Sequence, residues 1–300
     1  MKGILYIVAT PIGNTEDITE RAKRILREVD VVAAEDTRTT KILFNLLGIQ
    51  NKTVSNHKFN EKRQLEFLLS ELENGRNVAL VSDAGTPCVS DPGGLVVRAA
   101  AERGISVVGV CGASSVITAI SICGFCFGSF SFYGFLPKDA KEIKKTISVA
   151  RKSNVTISIF FESPKRIIKT MQILTDEAPD AEICLCNDLT KKFERIYRGK
   201  PKEILDELQS NPSAGKGEYT LVADFGKEAE TTASGISKSV TYEAMLVDHI
   251  IKNGGSIKEA ISALAETHRG RIAKKDFYSA SLNLRTMFTE KIKGQEAEND

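Results

Sequence analysis

The apolar positions of this chain follow two rhythms. Short apolar runs at Ile4–Val8, Val31–Ala34, Val78–Val81 and Ser106–Val110 each empty into a polar or Gly/Pro-rich segment, and the stretches between them carry apolar residues at helical spacing. Residues 15–29, a segment beginning near Thr37 and residues 116–122 have this helix-like pattern. Strand and helix alternating over residues 1–115 predicts a parallel sheet covered by helices. After Pro137 the pattern predicts a basic helix, a strand over 155–161, a helix over 165–177 and a strand at Glu182–Asn187. A polar loop, a helix over 202–209 and a strand at Tyr219–Asp224 follow, completing a second α/β domain over 116–226. Residues 227–240, rich in Ser, Thr and Gly, read as a linker. Met245, Leu246, Val247, Ile250 and Ile251 resume helical spacing. Ser256 with Glu259 forms a capping-box pattern, and a last helix is expected over 275–288. These make a three-helix unit over 241–293, followed by a disordered tail over 294–300.

Three strand exits share a chemistry. Val78–Val81 runs into Ser82-Asp83-Ala84-Gly85-Thr86-Pro87, Ile4–Val8 into Ala9-Thr10-Pro11-Ile12-Gly13-Asn14, and Ser106–Val110 into Cys111-Gly112-Ala113-Ser114-Ser115. Glycines let backbone approach a ligand, prolines stiffen the path, and hydroxyls supply hydrogen bonds. In an open α/β sheet these exits are where ligands bind. Neither a Gly-x-Gly-x-x-Gly fingerprint nor a phosphate loop of the Gly-x-x-x-x-Gly-Lys-Ser/Thr type occurs, so a pocket built mainly for a pyrophosphate or triphosphate is not expected.

Composition narrows the class. The 300 residues, 42% hydrophobic, suffice for more than one domain. No charged residue occurs from Gly104 through Pro137, but glycines and serines break the stretch, which reads as buried strand, loop, helix and loop rather than a membrane span. Six cysteines and no secretory signal point to reduced thiols in a cytoplasm. Cys123, Cys126, Cys184 and Cys186 have ligand-like spacing, but their apolar settings read as small core residues, so no metal is expected. Net charge is +2 overall, with 15 Lys+Arg against 9 Asp+Glu over residues 138–202. That segment suits phosphate contacts, and equally a solvated helix face.

On these motifs the chain resembles the 16S ribosomal RNA (cytidine-2′-O)-methyltransferases of the tetrapyrrole methylase superfamily, the class III S-adenosylmethionine-dependent enzymes. Thr10-Pro11-Ile12-Gly13-Asn14, Ala34-Glu35-Asp36-Thr37-Arg38 and Ser82-Asp83-Ala84-Gly85-Thr86-Pro87 carry the likeness. So do Phe160-Phe161-Glu162-Ser163-Pro164-Lys165-Arg166, Leu189-Thr190-Lys191 with Glu194, and Lys216-Gly217-Glu218. The resemblance implies two α/β domains with the cofactor between them, a small C-terminal helix-turn-helix-like domain and a homodimer. The implied activity is S-adenosyl-L-methionine-dependent methylation of a cytidine ribose in the decoding region of 16S rRNA, in the small subunit. In the C-terminal unit Arg269, Arg271, Lys274, Lys275 and Arg285 are candidates for nucleic-acid contact, with a packing or dimerisation role the equal alternative.

Transfer of a methyl group to a ribose hydroxyl needs alignment, a proton acceptor and anchors for the substrate. Glu35, Lys191 and Glu194 are the catalytic candidates, Glu35 as base or as ligand to ribose. Lys191 would act uncharged as a base or charged as a phosphate binder. Asp36, Arg38, His57, Lys165 and Arg166 are expected at the substrate, although Asp36 also suits a helix cap. His57 stands in His57-Lys58-Phe59-Asn60-Glu61, where the family tends to have a second histidine at the place of Phe59. The expected cofactor cradle is Thr10, Pro11, Ser82, Asp83, Gly85, Thr86, Gly112, Ser114 and Ser115 from the first domain, with Phe160 and Asn187 from the second. A tetrapyrrole-type small-molecule methylase and a non-catalytic, S-adenosylmethionine-sensing nucleic-acid binder are the competing readings.

Overall fold

The computed structural model describes residues 1–226, 241–268 and 272–296. The expected linker over 227–240, together with Arg269 and Arg271, lies outside the described residues. The chain divides into two compact units, Met1–Lys227 and Glu228–Asp300.

In the first unit, β1 (Ile4–Val8), β2 (Val31–Ala34), β3 (Thr53–Ser55), β4 (Val78–Val81) and β5 (Ser106–Val110) form a sheet ordered β3-β2-β4-β1-β5. Every neighbouring pair is parallel, as the alternating pattern predicts. Side chains of a strand alternate between faces, so each face builds its own core. Val8, Val32 and Val81 pack with Ala22, Ile25 and Leu26 of α1 (Glu20–Glu28) and Phe44 of α2 (Thr37–Leu47). Leu5, Val31 and Val78 pack on the other side with Leu68, Leu69 and Leu72 of α3 (Glu61–Glu73) and Val96 and Ala100 of α4 (Gly94–Glu102). Residues 15–29, expected as one helix, hold a 3-10 turn at Thr15–Asp17 before α1, because Thr19 caps α1 by accepting from the Ala22 amide at 3.1 Å.

A second sheet follows α5 (Ser115–Ile122). It comprises β6 (Phe130–Phe135), β7 (Ile157–Glu162), β8 (Glu182–Asn187), β9 (Arg195–Gly199) and β10 (Tyr219–Asp224), ordered β6-β7-β10-β8-β9. β6 and β7 are parallel and the remaining pairs antiparallel. α6 (Ala140–Arg151), α7 (Ile167–Glu177) and α8 (Pro201–Ser210) cover one face around Phe160, Met171 and Leu205. The opposite face, with Ile157, Ile159 and Cys184, packs against Val116, Ala119 and Ile120 of α5 and against Ile12 of the first layer.

Three strands differ from the sequence expectation: β3, whose three residues are too few to show an alternation, and two strands of the second sheet. β6 occupies a segment read as loop, since it lies in an uncharged run with no charged flank to bound it. β9, with Arg195 and Arg198 exposed, reads as polar loop because it is an edge strand wet along one side. The uncharged stretch thus divides into β5, α5 and β6, and among the described residues no helix is long and apolar enough to cross a membrane.

The second unit holds α9 (Tyr242–Asn253), α10 (Ile257–Thr267) and α11 (Lys274–Glu296) around Leu246, Ile261, Phe277 and Leu284. The capping box forms: the Ser256 amide donates to Glu259 Oε2 at 2.7 Å, and the Glu259 amide to Ser256 Oγ at 3.3 Å. α11 runs past residue 288 to Glu296, so residues 294–296, expected in a disordered tail, are helical. Residues 297–300 of that tail lie outside the described residues.

Candidate active site

All strands of the first sheet point the same way, so the loops after β1, β2, β4 and β5 meet at one edge. There they are cross-linked. Thr10 and Gly85 exchange backbone hydrogen bonds at 2.9 and 3.0 Å, and Thr86 Oγ1 donates to the Ala113 carbonyl at 3.1 Å. Gly85 is left-handed at φ +79°, with a Cβ there 3.3 Å from Ile12; a Cβ on Gly112 would lie 2.8 Å from Ala9 Cβ. Side chains at either position would push apart the loops that the pocket needs close.

Between this edge and the second sheet lies a cavity of about 400 Å³, within the roughly 300–1,000 Å³ usual for small-molecule sites. Of the expected residues, Glu35, Asp83, Gly85, Thr86, Ser114 and Ser115 line it. From the second layer come Phe135, Phe161, Glu162, Glu218 and Tyr219. Ser114 also caps α5, accepting from the Ile117 amide.

Other expected cradle residues lie off the wall. Thr10 and Ser82 are buried and turn inward, Thr10 Oγ1 donating to the Ser82 carbonyl at 3.2 Å and Ser82 Oγ to the Ala84 carbonyl at 3.3 Å. Pro11 and Gly112 shape the loops without lining the cavity. Phe160 does not line the cavity: its ring stacks on Tyr133 at 5.0 Å in the helix-side core, and Phe161 takes the wall. Neighbours along β7 point to opposite faces, and its pairing within the sheet decides which of them faces in. Asn187 is also buried, its amide Nδ2 donating to the carbonyls of Glu218 at 3.3 Å and Lys216 at 3.4 Å, so it fastens the loop before β10.

Three carboxylates dominate the first-layer wall. Glu35 is raised above the ordinary carboxylate range by burial and then by the charges of Asp91 and Asp83. Burial likewise raises Asp83 and Asp91. Among the described residues no Lys, Arg or His lines the cavity. Asp91 was the least legible of the three, since a carboxylate before Pro92 in a Gly/Pro loop reads equally as a turn residue.

The other expected catalytic groups are engaged. Lys191 Nζ donates to Glu218 Oε2 at 2.8 Å and Asp188 Oδ1 at 2.9 Å. Burial opposes its charge, but these two carboxylates outweigh that and raise its pKa, which favours the ammonium form. Glu194 accepts from the Thr190 amide and staples the same loop. Asp36 caps α2 and chelates Arg38 at 2.6 Å; the Arg38 hydrogen bonds hold the Asp36 carboxyl down at about 2. Arg166, expected at the substrate, pairs with the fully buried Glu162 carboxylate and donates to the Leu136 and Pro137 carbonyls at 3.1 and 3.0 Å. Lys165 is exposed beside it, and His57 Nδ1 accepts from the Phe59 amide at 3.2 Å. Among the described residues no three His, Cys, Asp or Glu side chains are grouped to hold a metal ion, and Cys123, Cys184 and Cys186 are buried in the core between the layers.

Residues 4–205 match the family model for tetrapyrrole (corrin/porphyrin) methylases. The chain belongs to the tetrapyrrole methylase family. Within it the chain is 38% identical to the protein named ribosomal RNA small subunit methyltransferase I of Halalkalibacterium halodurans, over 93% of this chain and 94% of that one. Proteins of the same name from Bacillus subtilis, 37% identical over 93% and 94%, and Leptospira biflexa, 40% identical over 76% and 93%, agree. The methylase fold recurs in a crystal structure of diphthine synthase, with TM-score 0.55, 16% identity and coverage of 73% of this chain and 89% of that one. It recurs also in uroporphyrin-III C-methyl transferase from Thermus thermophilus complexed with S-adenyl homocysteine, with TM-score 0.51, 19% identity and coverage of 74% and 98%.

Proposed function

We propose that this chain is an S-adenosyl-L-methionine-dependent methyltransferase acting on 16S rRNA of the small ribosomal subunit, at the ribose 2′-hydroxyl of a cytidine in the decoding region. The observation that carries the reading is the cavity itself: glycine-shaped loops at strand exits, the carboxylates Glu35, Asp83 and Asp91 with no ion pair among the described residues, and apolar walls at Ile12, Phe135 and Phe161. This lining fits a cationic donor of small-molecule size and disfavours a polyphosphate. The first layer, 1–115, and the second, 116–226, would each supply a wall. The names of the relatives support RNA as acceptor. A homodimer is part of the reading, supported by exposed Ile117, Phe127, Phe130 and Phe135 on the uncharged stretch. A cytoplasmic location follows from such a substrate.

When bound, S-adenosylmethionine supplies an electrophilic methyl on a positively charged sulfur. Glu35, half-buried in the cavity wall, takes the proton of the attacking hydroxyl, and its raised pKa makes it a stronger acceptor than a solvated carboxylate. Asp83 and Asp91 keep the surroundings negative, and Phe161 with Ile12 gives the wall an apolar surface. Lys191, spanning Asp188 and Glu218, holds the second-layer loop closed on the wall.

The test is transfer of labelled methyl from the donor to small subunits lacking the modification, followed by mapping of ribose methylation. Transfer to one decoding-region cytidine is expected. Transfer to a tetrapyrrole and not to subunits would replace this reading with the small-molecule one, and donor binding without any transfer would favour the sensor.

A further inference from the structure

The rim beside Glu35 carries side chains that the transfer chemistry does not use. Between β3 and α3 the chain turns through His57, Lys58 and Phe59, and Phe59 is 95% exposed. The turn is fastened from below. The His57 amide donates to Asn60 Oδ1 at 2.7 Å, and the buried Asn60 donates to the Ser55 carbonyl at 3.1 Å. The His57 ring meets Phe59 edge-on, with centroids 6.0 Å apart. An aromatic held out in water by a braced loop gains nothing from the fold itself.

Its surroundings are cationic. Lys58, Lys62 and Arg63 are exposed and make no ion pair among the described residues. The acid in the same sequence stretch is withdrawn: Glu61 Oε1 accepts from the amides of Gly93 at 2.8 Å and Leu95 at 3.2 Å, at the start of α4. The cavity has the opposite character: Glu35, Asp83 and Asp91 line it with no ion pair among the described residues, while Glu162 and Glu218 are taken by Arg166 and Lys191. The two lie side by side, because β3 neighbours β2 and the Asn56 amide bonds the Ala34 carbonyl at 2.7 Å, one residue before Glu35. Neighbouring strands are about 4.8 Å apart.

We propose that this loop is a nucleobase-stacking platform that seats an unpaired stretch of RNA at the rim of the cleft, Phe59 against a base and Lys58, Lys62 and Arg63 against its phosphates. Single-stranded RNA is held by this combination of aromatic faces and backbone-tracking cations. The division of charge explains how one edge serves both partners: the acidic cavity repels phosphate, and the cationic rim next to it takes the polyanion. The proposal rests on the RNA-substrate reading above.

The test is fluorescence anisotropy of the full chain with a labelled short oligocytidylate and no donor present. Phe59→Ala is expected to weaken binding about tenfold, or about 1.4 kcal/mol. Phe59→Trp should retain it, and Phe59→Leu should not. Replacing Lys58, Lys62 and Arg63 together by Gln should reduce the slope of log affinity against log salt by about 2. Donor affinity, measured by calorimetry, should be unchanged throughout. Equal RNA affinity for Phe59→Ala and the unaltered chain, or full rescue by Leu, would overturn the platform. RNA binding that follows these variants in a protein that transfers no methyl would support the platform and sink the proposed reaction.

Discussion

Replacing Arg166 by Met removes the one cation that pairs with the Glu162 carboxylate among the described residues. The Glu162 side chain has no exposed surface, while Arg166 retains 23%. Its remaining hydrogen bonds, from Thr170 Oγ1 at 2.6 Å and the Ser163 amide at 2.6 Å, stay in place. Breaking a buried pair from one side costs about 3–5 kcal/mol, because the residual charge is stranded. The two donated bonds to the Leu136 and Pro137 carbonyls go as well, and with them the tie between β7, α7 and the segment after β6. Partial exposure of Arg166 lets water approach the stranded group, so the lower end of the range, about 3 kcal/mol, is expected. Urea unfolding of the full chain, followed through the transition of the α/β unit, measures it. Adding Glu162→Gln should recover at least half, since no charge then remains. A loss below about 1 kcal/mol for Arg166→Met, with RNA affinity falling instead, would refute this reasoning and return Arg166 to a phosphate-anchoring role.

Glu35→Gln should lower the transfer rate about 10²–10⁴-fold with donor affinity kept; an undiminished rate removes it as the base. Because Glu35 titrates above the ordinary carboxylate range, the rate should fall as pH drops through that raised pKa, and Asp91→Asn should move this limb to lower pH by deleting a repelling charge. The same crowding makes the folded chain hold protons to higher pH than the unfolded one, so stability declines as pH rises through that window. Asp91→Asn should therefore raise Tm at pH 7 and leave it nearly unchanged near pH 3, and the reverse order would contradict the sign. Lys191→Met should loosen donor binding without altering the acidic limb. A wild-type rate still climbing at pH 10, lost in that variant, would make Lys191 a base after all. Gly93→Ala should destabilise by at least about 2 kcal/mol, since φ is +126° and the new Cβ would stand 2.3 Å from Leu80 Cδ2. Gly94→Ala, with nothing within 4 Å, should be neutral or slightly stabilising, and equal effects at the two positions would count against the strain.

What the sequence determined by itself was whatever depends on local pattern. Four of the five first-layer strands, the parallel rhythm and the ligand-type loops follow from apolar runs ending in Gly, Pro and hydroxyl residues. Family motifs pointed to the methylase fold before any contact was known. Three edge strands escaped: β3 is only three residues long, β6 lies in an uncharged run with no charged flank to bound it, and β9 is too polar to resemble a core strand. At the site, side-chain type was legible and side-chain partner was not. Lys191 and Arg166 are cations of the kind a phosphate needs, yet each is claimed by acids distant in sequence or across a turn, Glu218 in one case and buried Glu162 in the other. Phe160 and Phe161 are chemically equal neighbours, and only the pairing of β7 fixes which one faces the cavity. The raised pKa of Glu35 arises from burial and from Asp83 and Asp91, which reach it from another strand exit. Tertiary structure decided these matters for a physical reason: electrostatic partners and strand faces are set by which segments come within a few ångströms, and neither is encoded in residue spacing along the chain.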